Sequence, residues 1–328
     1  MKKVSIVIPC YNEEKSLPRL YDSLHQLFEE EKQYQWEVLL INDGSQDNTY
    51  AEMKRLRQKD SRYSLIDLSR NFGKENAMLA GFDNVSGDCM VIMDADLQDP
   101  PYVVKQMLRE WQQGYDDIYA KRISRGKESW MRRRLTLLYY YILRKIAKID
   151  VLPNVGDFRL MDRRCIDALR SLRETQRYTK GLYTWIGFRK KEITFDRGDR
   201  KSGQSSFNYL RLFNLAVEGI TSYTTAPLRL STVIGLITSL VAFIYMCYIF
   251  IKTLLHGDPV QGFPTLITVI LFLGGIQLIS IGIIGEYLGR IFHETKHRPA
   301  YLIREKLAND DKSSEEVKVV SSAAAYAQ

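Results

Sequence analysis

Two long apolar runs near the end of the chain constrain its architecture more than any other feature of the sequence. Residues 230–251 and 263–285 contain no charged side chain. Each run exceeds the roughly 20 residues that an α-helix needs to cross a hydrocarbon core of ~30 Å. Because residues 256–262 form only a short link between the runs, the sequence predicts two membrane-spanning helices arranged as a hairpin.

Basic residues flank both outer ends of the predicted hairpin. Arg229 precedes the first run, whereas Arg290 and Arg298 follow the second. Cytoplasmic loops of membrane proteins carry an excess of lysine and arginine. The charge pattern therefore predicts that both termini are cytoplasmic. Lys252, near the link, is a single basic residue on the opposite side and does not follow this pattern.

The chain accordingly divides into three predicted parts. These are a cytoplasmic domain at 1–228, two membrane helices at about 230–252 and 263–285 within 229–291, and a cytoplasmic tail at 292–328 that is disordered from about residue 307. Apolar residues beside basic ones also predict amphipathic helices near 129–149 and 207–224, which suit the membrane interface. For residues 129–149, an ordinary surface helix docked on the sheet is the alternative.

The first part contains three short apolar segments that each run into a polar turn. They lie at residues 4–8, 38–41 and 90–93, with helical patterns between them. Buried strands alternating with helices predict an α/β fold with a doubly wound, mainly parallel sheet. Ligands of such sheets bind outside the carboxyl ends of the strands, so we expect the functional site in these turns.

The turn after the third segment carries two carboxylates, Asp94 and Asp96. A bend at this point can direct both side chains towards one ligand. Carboxylate oxygens suit Mg²⁺ or Mn²⁺, which keep several waters and add phosphate oxygens from a substrate. The pattern therefore predicts a divalent metal site, although an isolated Asp-x-Asp is also common in ordinary turns.

The formal net charge of +8 comes with a cluster of basic residues between positions 121 and 148. Charge alone would allow a nucleic-acid partner, but the predicted hairpin favours anionic lipid head groups and a diphosphate instead. The four cysteines lack metal-ligand spacing and are expected to be free thiols.

Four segments in this order and spacing resemble glycosyltransferase family 2: VSIVIPCYNEE, LLINDGSQDNT, RNFGKENAMLAGF and VIMDADLQDPP. The chain most resembles the polyprenyl-phosphate glycosyltransferases, relatives of dolichyl-phosphate mannose synthase, and among them the bactoprenol glucosyltransferases. The resemblance covers roughly residues 3–305. It implies a GT-A type domain, followed by the hairpin, that transfers a hexose with inversion to undecaprenyl phosphate. The reaction would occur at the cytoplasmic face of a bacterial plasma membrane.

The resemblance also implies roles for particular residues. The nucleotide-sugar donor would be bound by Pro9, Tyr11, Glu13, Asp43, Asp94 and Arg122. Asp94 and Asp96 would hold the metal, and Asp157 and Asp96 would be catalytic. The acceptor phosphate would be bound by Arg122, Arg159, Arg200, Ser202 and Ser205. Many relatives have a second aspartate where this chain has Asn42.

The segment RNFGKE is more similar to the glucosyl branch than to the mannosyl branch, which favours UDP-glucose as the donor. Donors carrying N-acetylhexosamine, mannose or an aminoarabinose-type sugar remain open. A processive polysaccharide synthase is the alternative enzyme, but such enzymes usually have more spans and a Gln-x-x-Arg-Trp motif, which the sequence lacks. A small two-helix membrane footprint is compatible with a homo-oligomer. A nucleic-acid partner is not expected, because it would explain the basic cluster but not the two apolar runs.

Overall fold

The computed structural model describes residues 1–122, 155–174, 177–195, 226–256 and 262–308. The predicted amphipathic helices near 129–149 and 207–224 lie outside these residues. The described chain falls into two compact units. One contains the residues up to position 195 together with 298–308, and the other contains the apolar helices between them.

The first unit is built on a sheet of eight described strands. They are β1 (Lys3–Cys10), β2 (Gln35–Asn42), β3 (Tyr63–Leu68), β4 (Cys89–Ile92), β5 (Asp117–Arg122), β6 (Val155–Asp162), β7 (Lys190–Phe195) and β8 (Ile303–Leu307). Their order across the sheet is β7-β5-β6-β4-β1-β2-β3-β8. Strands β4, β1, β2 and β3 are mutually parallel, as are β5 and β7. The predicted α/β fold with a mainly parallel sheet is confirmed.

Helices connect the parallel strands and cover the sheet. In this unit they are α1 (Leu17–Glu30), α2 (Thr49–Lys59), α3 (Lys74–Asn84), α4 (Tyr102–Gln112), α5 (Arg163–Ser171) and α6 (Thr179–Trp185). Helix α1 shows why they pack: its leucines at positions 17, 20, 24 and 27 recur at helical spacing and are at most 2% exposed. The strands beneath are apolar on both faces, as parallel strands covered by helices must be.

Strand β6 runs antiparallel to β4, and this reversal determines the position of the predicted catalytic carboxylate. Ile92, the last residue of β4, pairs with Arg159 of β6. Asp157 precedes Arg159 by two residues, so it lies beyond the end of β4 on the same side as Asp94. The sheet thereby brings together two carboxylates that are far apart in sequence.

Strand β8 was not predicted, because its residues fall in the segment expected to be a tail. It pairs antiparallel with β3 at the edge of the sheet. Side chains hold it there: Glu305 accepts hydrogen bonds from Tyr50 Oη at 2.6 Å and Lys54 Nζ at 3.1 Å. Arg304 contacts Asp67 at 3.3 Å and donates to the carbonyl of Ser69. The chain after the apolar helices therefore returns to complete the first unit.

The second unit contains two long helices, α7 (Ala226–His256) and α8 (Phe263–Thr295), which contact each other. Both extend beyond the bounds predicted from the apolar runs. In the described part of the chain one stretch, Phe272–Thr295, is long and apolar enough to cross a membrane, and Leu230–Tyr245 is a shorter apolar stretch. Leu236 and Leu278 are each 72% exposed, so the apolar surface of these helices is not covered by the protein within this unit.

Candidate functional site

The turns that follow β1, β2 and β4 lie side by side at one edge of the sheet, because these strands are parallel neighbours. The first two turns are joined by hydrogen bonds. The amide of Asn12 donates to Ser45 Oγ at 3.0 Å, and the amide of Gln46 donates to Asn12 Oδ1 at 2.9 Å. Asn12 adopts a left-handed backbone with φ of 57°. These bonds make a fixed platform of the residues predicted to bind the nucleotide.

Three predicted donor-binding residues, Pro9, Tyr11 and Glu13, lie on this platform. Tyr11 is 45% exposed and so can contact a ligand. Burial raises the pKa of Glu13, and the nearby carboxylates of Asp96 and Asp94 raise it further, against a hydrogen bond from Ser16 that lowers it. The edge therefore carries concentrated negative potential, which a cation would relieve.

Asp94 and Asp96 follow β4 in a constrained turn. The side chain of Asp94 is 35% exposed, and Asp96 is exposed and accepts a hydrogen bond from the amide of Gln98 at 3.0 Å. Leu97 has a φ of 59°, a left-handed conformation that is costly for a residue with a branched side chain. Backbone strain of this kind is typical of functional turns.

The donor set fits a divalent cation only in part. Among the described residues no group of three His, Cys, Asp or Glu side chains is arranged to hold a metal ion. Asp94 and Asp96 would supply two carboxylates, and Mg²⁺ or Mn²⁺ usually completes its coordination with water and substrate phosphate. The residues therefore suit a cation that arrives with a nucleoside diphosphate better than a permanently bound ion.

Lys74 connects the carboxylates of Asp94 and Asp157, and this lysine was not predicted as a site residue from the sequence. Lys74 Nζ lies 2.6 Å from Asp94 Oδ1 and 2.9 Å from Asp157 Oδ2. Burial lowers the pKa of Lys74, but the charges of Asp157 and Asp94 outweigh this and leave the pKa raised. Lys74 is therefore an ammonium at the point where the two acidic strand ends meet.

Asp157 is less exposed than Asp94, with 11% of its side chain accessible against 35% for Asp94. Burial alone would raise its pKa, but Lys74 and Lys180 lower it more, so the net pKa is lowered and the group is ionised. Oδ2 contacts Lys74, whereas Oδ1 is buried and has no hydrogen-bond partner among the described residues. A buried carboxylate oxygen without a partner is costly, which is consistent with a partner supplied by a ligand.

Asp43 supports the turn that carries Lys74. Its two carboxylate oxygens accept hydrogen bonds from the amides of Phe72 at 2.7 Å and Gly73 at 3.0 Å. Burial raises the pKa of Asp43, and these two hydrogen bonds oppose that effect. At 3% exposure its carboxylate holds the backbone immediately before α3, in addition to any contact with the donor predicted from the sequence.

Gly44, in the turn after β2, allows close approach of the turn that precedes α3. Its replacement therefore gives a testable prediction. It has a φ of +66°, and a Cβ there would lie 2.5 Å from the carbonyl carbon of Arg70 and even nearer the amide of Asn71. We expect Gly44→Ala to lower the free energy of unfolding by more than the roughly 1 kcal/mol that left-handed backbone costs alanine.

Gly114 provides a matched control for that substitution. It has a similar φ of +90°, but its nearest atom would be 3.8 Å away. Gly114→Ala should therefore show the backbone cost without the clash, as measured by chemical denaturation. Equal destabilisation by the two substitutions would contradict the close approach of the two turns.

Arg159 does not lie where the sequence analysis expected it. Its guanidinium was expected to face the acceptor phosphate, but it is 4% exposed and contacts Asp117 of β5 at 3.1 Å. It also lies over the ring of Tyr183, 3.5 Å from the ring centroid. A charge at this depth requires a partner, and the adjacent strand provides one. The pairing with Asp117 gives Arg159 a structural role that was not predicted, and its assignment as a phosphate ligand stays a prediction.

The remaining predicted ligands lie at or beyond the limit of the described chain. Arg122 is the last residue of β5, pairing in register with Phe195, and its side chain is not described. Arg200, Ser202 and Ser205 lie outside the described residues. Their assignment to the phosphate groups stays a prediction.

Comparison with known proteins gives two family matches, one within the first unit of the structure and one within the helices of the second. The model of glycosyl transferase family 2 matches residues 5–170. A second model, described as the GtrB C-terminal hairpin, matches residues 226–291, which span α7 and most of α8. The predicted combination of a glycosyltransferase domain and a hairpin is thereby confirmed.

Full-length relatives share about two-fifths of their residues with the chain. A bactoprenol glucosyl transferase of Shigella phage SfV is 42% identical over 92% of this chain and 98% of its own length. The putative glycosyltransferase CsbB of Bacillus subtilis is 43% identical over 92% of this chain and 91% of its own.

Solved structures are more distant. Glucosyl-3-phosphoglycerate synthase of M. tuberculosis is 17% identical, with a TM-score of 0.45 over 67% of this chain and 78% of that one. A mannosyltransferase of Pyrobaculum calidifontis is 12% identical, with a TM-score of 0.43 over 85% and 87%. These scores are too low for anything about the chemistry of the chain to follow from them.

Proposed function

Because the chain belongs to glycosyl transferase family 2, we propose that it transfers glucose from UDP-glucose to undecaprenyl phosphate, releasing UDP and forming a polyprenyl-phosphate sugar. The observation that carries the proposal is the meeting of Asp94, Lys74 and Asp157 at the carboxyl edge of the sheet. The hairpin match and the relatives named as bactoprenol glucosyl transferases support a lipid acceptor and glucose as the sugar.

The donor would bind along the platform formed by the first two turns, with its diphosphate at Asp94 and Asp96. A divalent cation, Mg²⁺ or Mn²⁺, bound there would neutralise charge that develops on the departing diphosphate. Asp94 and Asp96 would orient the diphosphate through this cation, and Glu13 adds negative potential that favours the cation further. Arg122, at the end of β5, would contact the phosphate groups, as predicted from the sequence.

The acceptor oxygen would attack the anomeric carbon from the face opposite the diphosphate. A bond then forms between that carbon and the acceptor phosphate, the bond to the diphosphate breaks, and the configuration inverts. A phosphate monoester has a second pKa near ~6, so the attacking oxygen is largely ionised at neutral pH. Asp157 therefore needs only to orient the acceptor and to accept a residual proton, for which Oδ1 has no competing partner among the described residues.

The order of elements along the chain supports a membrane hairpin that enters and leaves on the same side. Strand β8 follows the two apolar helices but pairs with β3 of the catalytic sheet. A single crossing between β7 and β8 would put these strands on opposite sides of the membrane. Two crossings, with the catalytic domain and both termini in the cytoplasm of a bacterium, agree with the basic flanks of the hairpin.

This topology predicts a specific labelling pattern. In a background without the four native cysteines, Gly257→Cys in the link should react with a membrane-impermeant maleimide in intact cells. Asp22→Cys on the exposed surface of α1 should react only after permeabilisation. An epitope tag after Gln328 should likewise bind its antibody only after permeabilisation. Labelling of positions 257 and 22 under the same condition would contradict the two crossings.

The direct test of the proposed function uses purified protein with undecaprenyl phosphate and a panel of radiolabelled nucleotide sugars. UDP-glucose should label the lipid fraction most rapidly. Faster labelling from an N-acetylhexosamine, mannose or aminoarabinose donor would correct the sugar but retain the reaction. Growth of a polymer without labelled lipid would indicate a processive synthase instead.

A further inference from the structure

Lys74 makes two short contacts that the proposed reaction leaves unexplained. Its ammonium lies between Asp94, a predicted metal ligand, and Asp157, the predicted catalytic carboxylate. Asp94 would serve the donor, whereas Asp157 would meet the acceptor. A cation shared by these two residues lies where the two substrates must approach each other.

The acceptor creates an electrostatic problem that Lys74 is placed to solve. Asp157 is ionised, because Lys74 and Lys180 lower its pKa against the effect of burial. The acceptor phosphate carries nearly two negative charges at neutral pH. Like charges repel strongly where water is partly excluded, so a positive group must lie beside Asp157 if the phosphate is to bind there.

The geometry leaves Lys74 able to accept a further anionic partner. An ammonium has three N–H donors, and the carboxylates of Asp94 and Asp157 occupy two of them. The side chain of Lys74 is 42% exposed, so a ligand at the strand ends can contact it. When Asp94 serves the donor complex instead, a second N–H becomes available.

The backbone around Lys74 is held in place. Lys74 is the first residue of α3, directly after Gly73, and Asp43 binds the amides of Phe72 and Gly73. This support places the ammonium at the strand ends without relying on the flexible side chain alone. A fixed positive group of this kind suits recognition of an anion.

We propose that Lys74 binds the phosphate of the polyprenyl phosphate acceptor and holds it beside Asp157 for attack on the sugar. This inference rests on the proposed function and adds the residue that recognises the acceptor. The ligand class is a phosphate monoester on a prenyl chain. Lys74 also offsets the repulsion between that phosphate and Asp157.

The test compares Lys74→Met and Lys74→Arg with Lys191→Met in the full-length protein in detergent. Lys191 is a matched control, because it is 40% exposed and pairs with Glu110 at 3.7 Å, away from the site. Calorimetry measures binding of farnesyl monophosphate, farnesol and UDP with Mg²⁺. Transfer assays then give KM for undecaprenyl phosphate and for the donor.

Lys74→Met should weaken farnesyl monophosphate binding, and raise KM for the lipid acceptor, by about ten- to a hundred-fold, as expected for a hydrogen bond to a charged group. Farnesol binding and UDP affinity should change less than about three-fold. Lys74→Arg keeps the charge and should recover most of the acceptor affinity, which also covers the case in which the methionine variant does not fold. Lys191→Met should match the wild type.

A loss of UDP affinity equal to or larger than the loss of acceptor affinity would assign Lys74 to the donor site and overturn the proposal. Unchanged binding of farnesyl monophosphate in both variants would overturn it as well, leaving the ion pairs with a purely structural role. Failure of the wild type to glycosylate undecaprenyl phosphate with any donor is a separate result, because it would reject the proposed function itself.

Discussion

Replacing Asp157 with asparagine should lower kcat by about a hundred- to ten-thousand-fold, the range expected for a residue that assists proton transfer or orientation in a transition state. The neutral amide of asparagine cannot take up a residual proton, and it removes the ion pair that Asp157 makes with Lys74 at 2.9 Å. UDP binding should change little, because the proposed donor site lies at the ends of β1, β2 and β4.

Asp116→Asn is a matched control for this prediction. Asp116 is also buried and ion-paired, with Arg164 at 2.5 Å, but it precedes β5 and so lies at the opposite edge of the sheet. The control should retain kcat even if it loses some stability. Wild-type kcat for Asp157→Asn at saturating acceptor would contradict the assigned role.

Replacing Asp94 or Asp96 with asparagine should lower transfer by at least about a hundred-fold, comparable to removing one preorganised group that stabilises transition-state charge. An excess of chelator should have the same effect on the wild type, and added Mg²⁺ or Mn²⁺ should restore transfer. Calorimetry should also show that UDP binding depends on the cation in the wild type and loses that dependence in either variant.

Asp167→Asn serves as the control for the acidic turn. Asp167 is 54% exposed and contacts Arg170 at 3.3 Å on the surface of α5, so its loss should affect neither transfer nor nucleotide binding. Full turnover of the wild type in excess chelator would exclude the metal-assisted mechanism. A thermal melt of each variant separates loss of chemistry from loss of fold.

The sequence was sufficient to predict the sheet and most of the acidic edge. Apolar segments ending in polar turns are a local signal, and parallel strands necessarily bring those ends together. Asp94 and Asp96 could therefore be assigned to one edge, whereas Asp157, on the antiparallel strand β6, was assigned from the family resemblance. The structure brings Asp94 and Asp157 onto the same ammonium.

Residues whose roles depend on neighbouring strands could not be assigned from the sequence. Arg159 was expected to bind phosphate because a charge in a strand needs a partner, but the partner proved to be Asp117 on β5. Lys74 was not assigned to the site from the sequence, because its contact with Asp157 depends on the antiparallel direction of β6. Neither pairing has a local pattern that would reveal it.

Strand β8 was missed for a related reason. Its sequence, IREKL, is short and mostly polar, and it follows the apolar helices by only a few residues. It is a strand because β3 offers an open edge and because Tyr50 and Lys54 of α2 bind Glu305. Tertiary contacts of this kind override the weak local preference of a polar segment.

The most direct test of glucose transfer to undecaprenyl phosphate follows both labels of a doubly labelled donor. Purified protein is incubated with undecaprenyl phosphate and UDP-glucose carrying ¹⁴C in the sugar and ³²P in the β-phosphate. We expect ¹⁴C to enter the lipid fraction while ³²P remains in UDP, with the acceptor's own phosphate joined to an inverted anomeric carbon. Transfer of both labels to the lipid would show that a sugar phosphate is moved instead of a sugar. Absence of ¹⁴C from the lipid would show that glucose is not transferred from UDP-glucose to polyprenyl phosphate. Either result would contradict the proposed reaction.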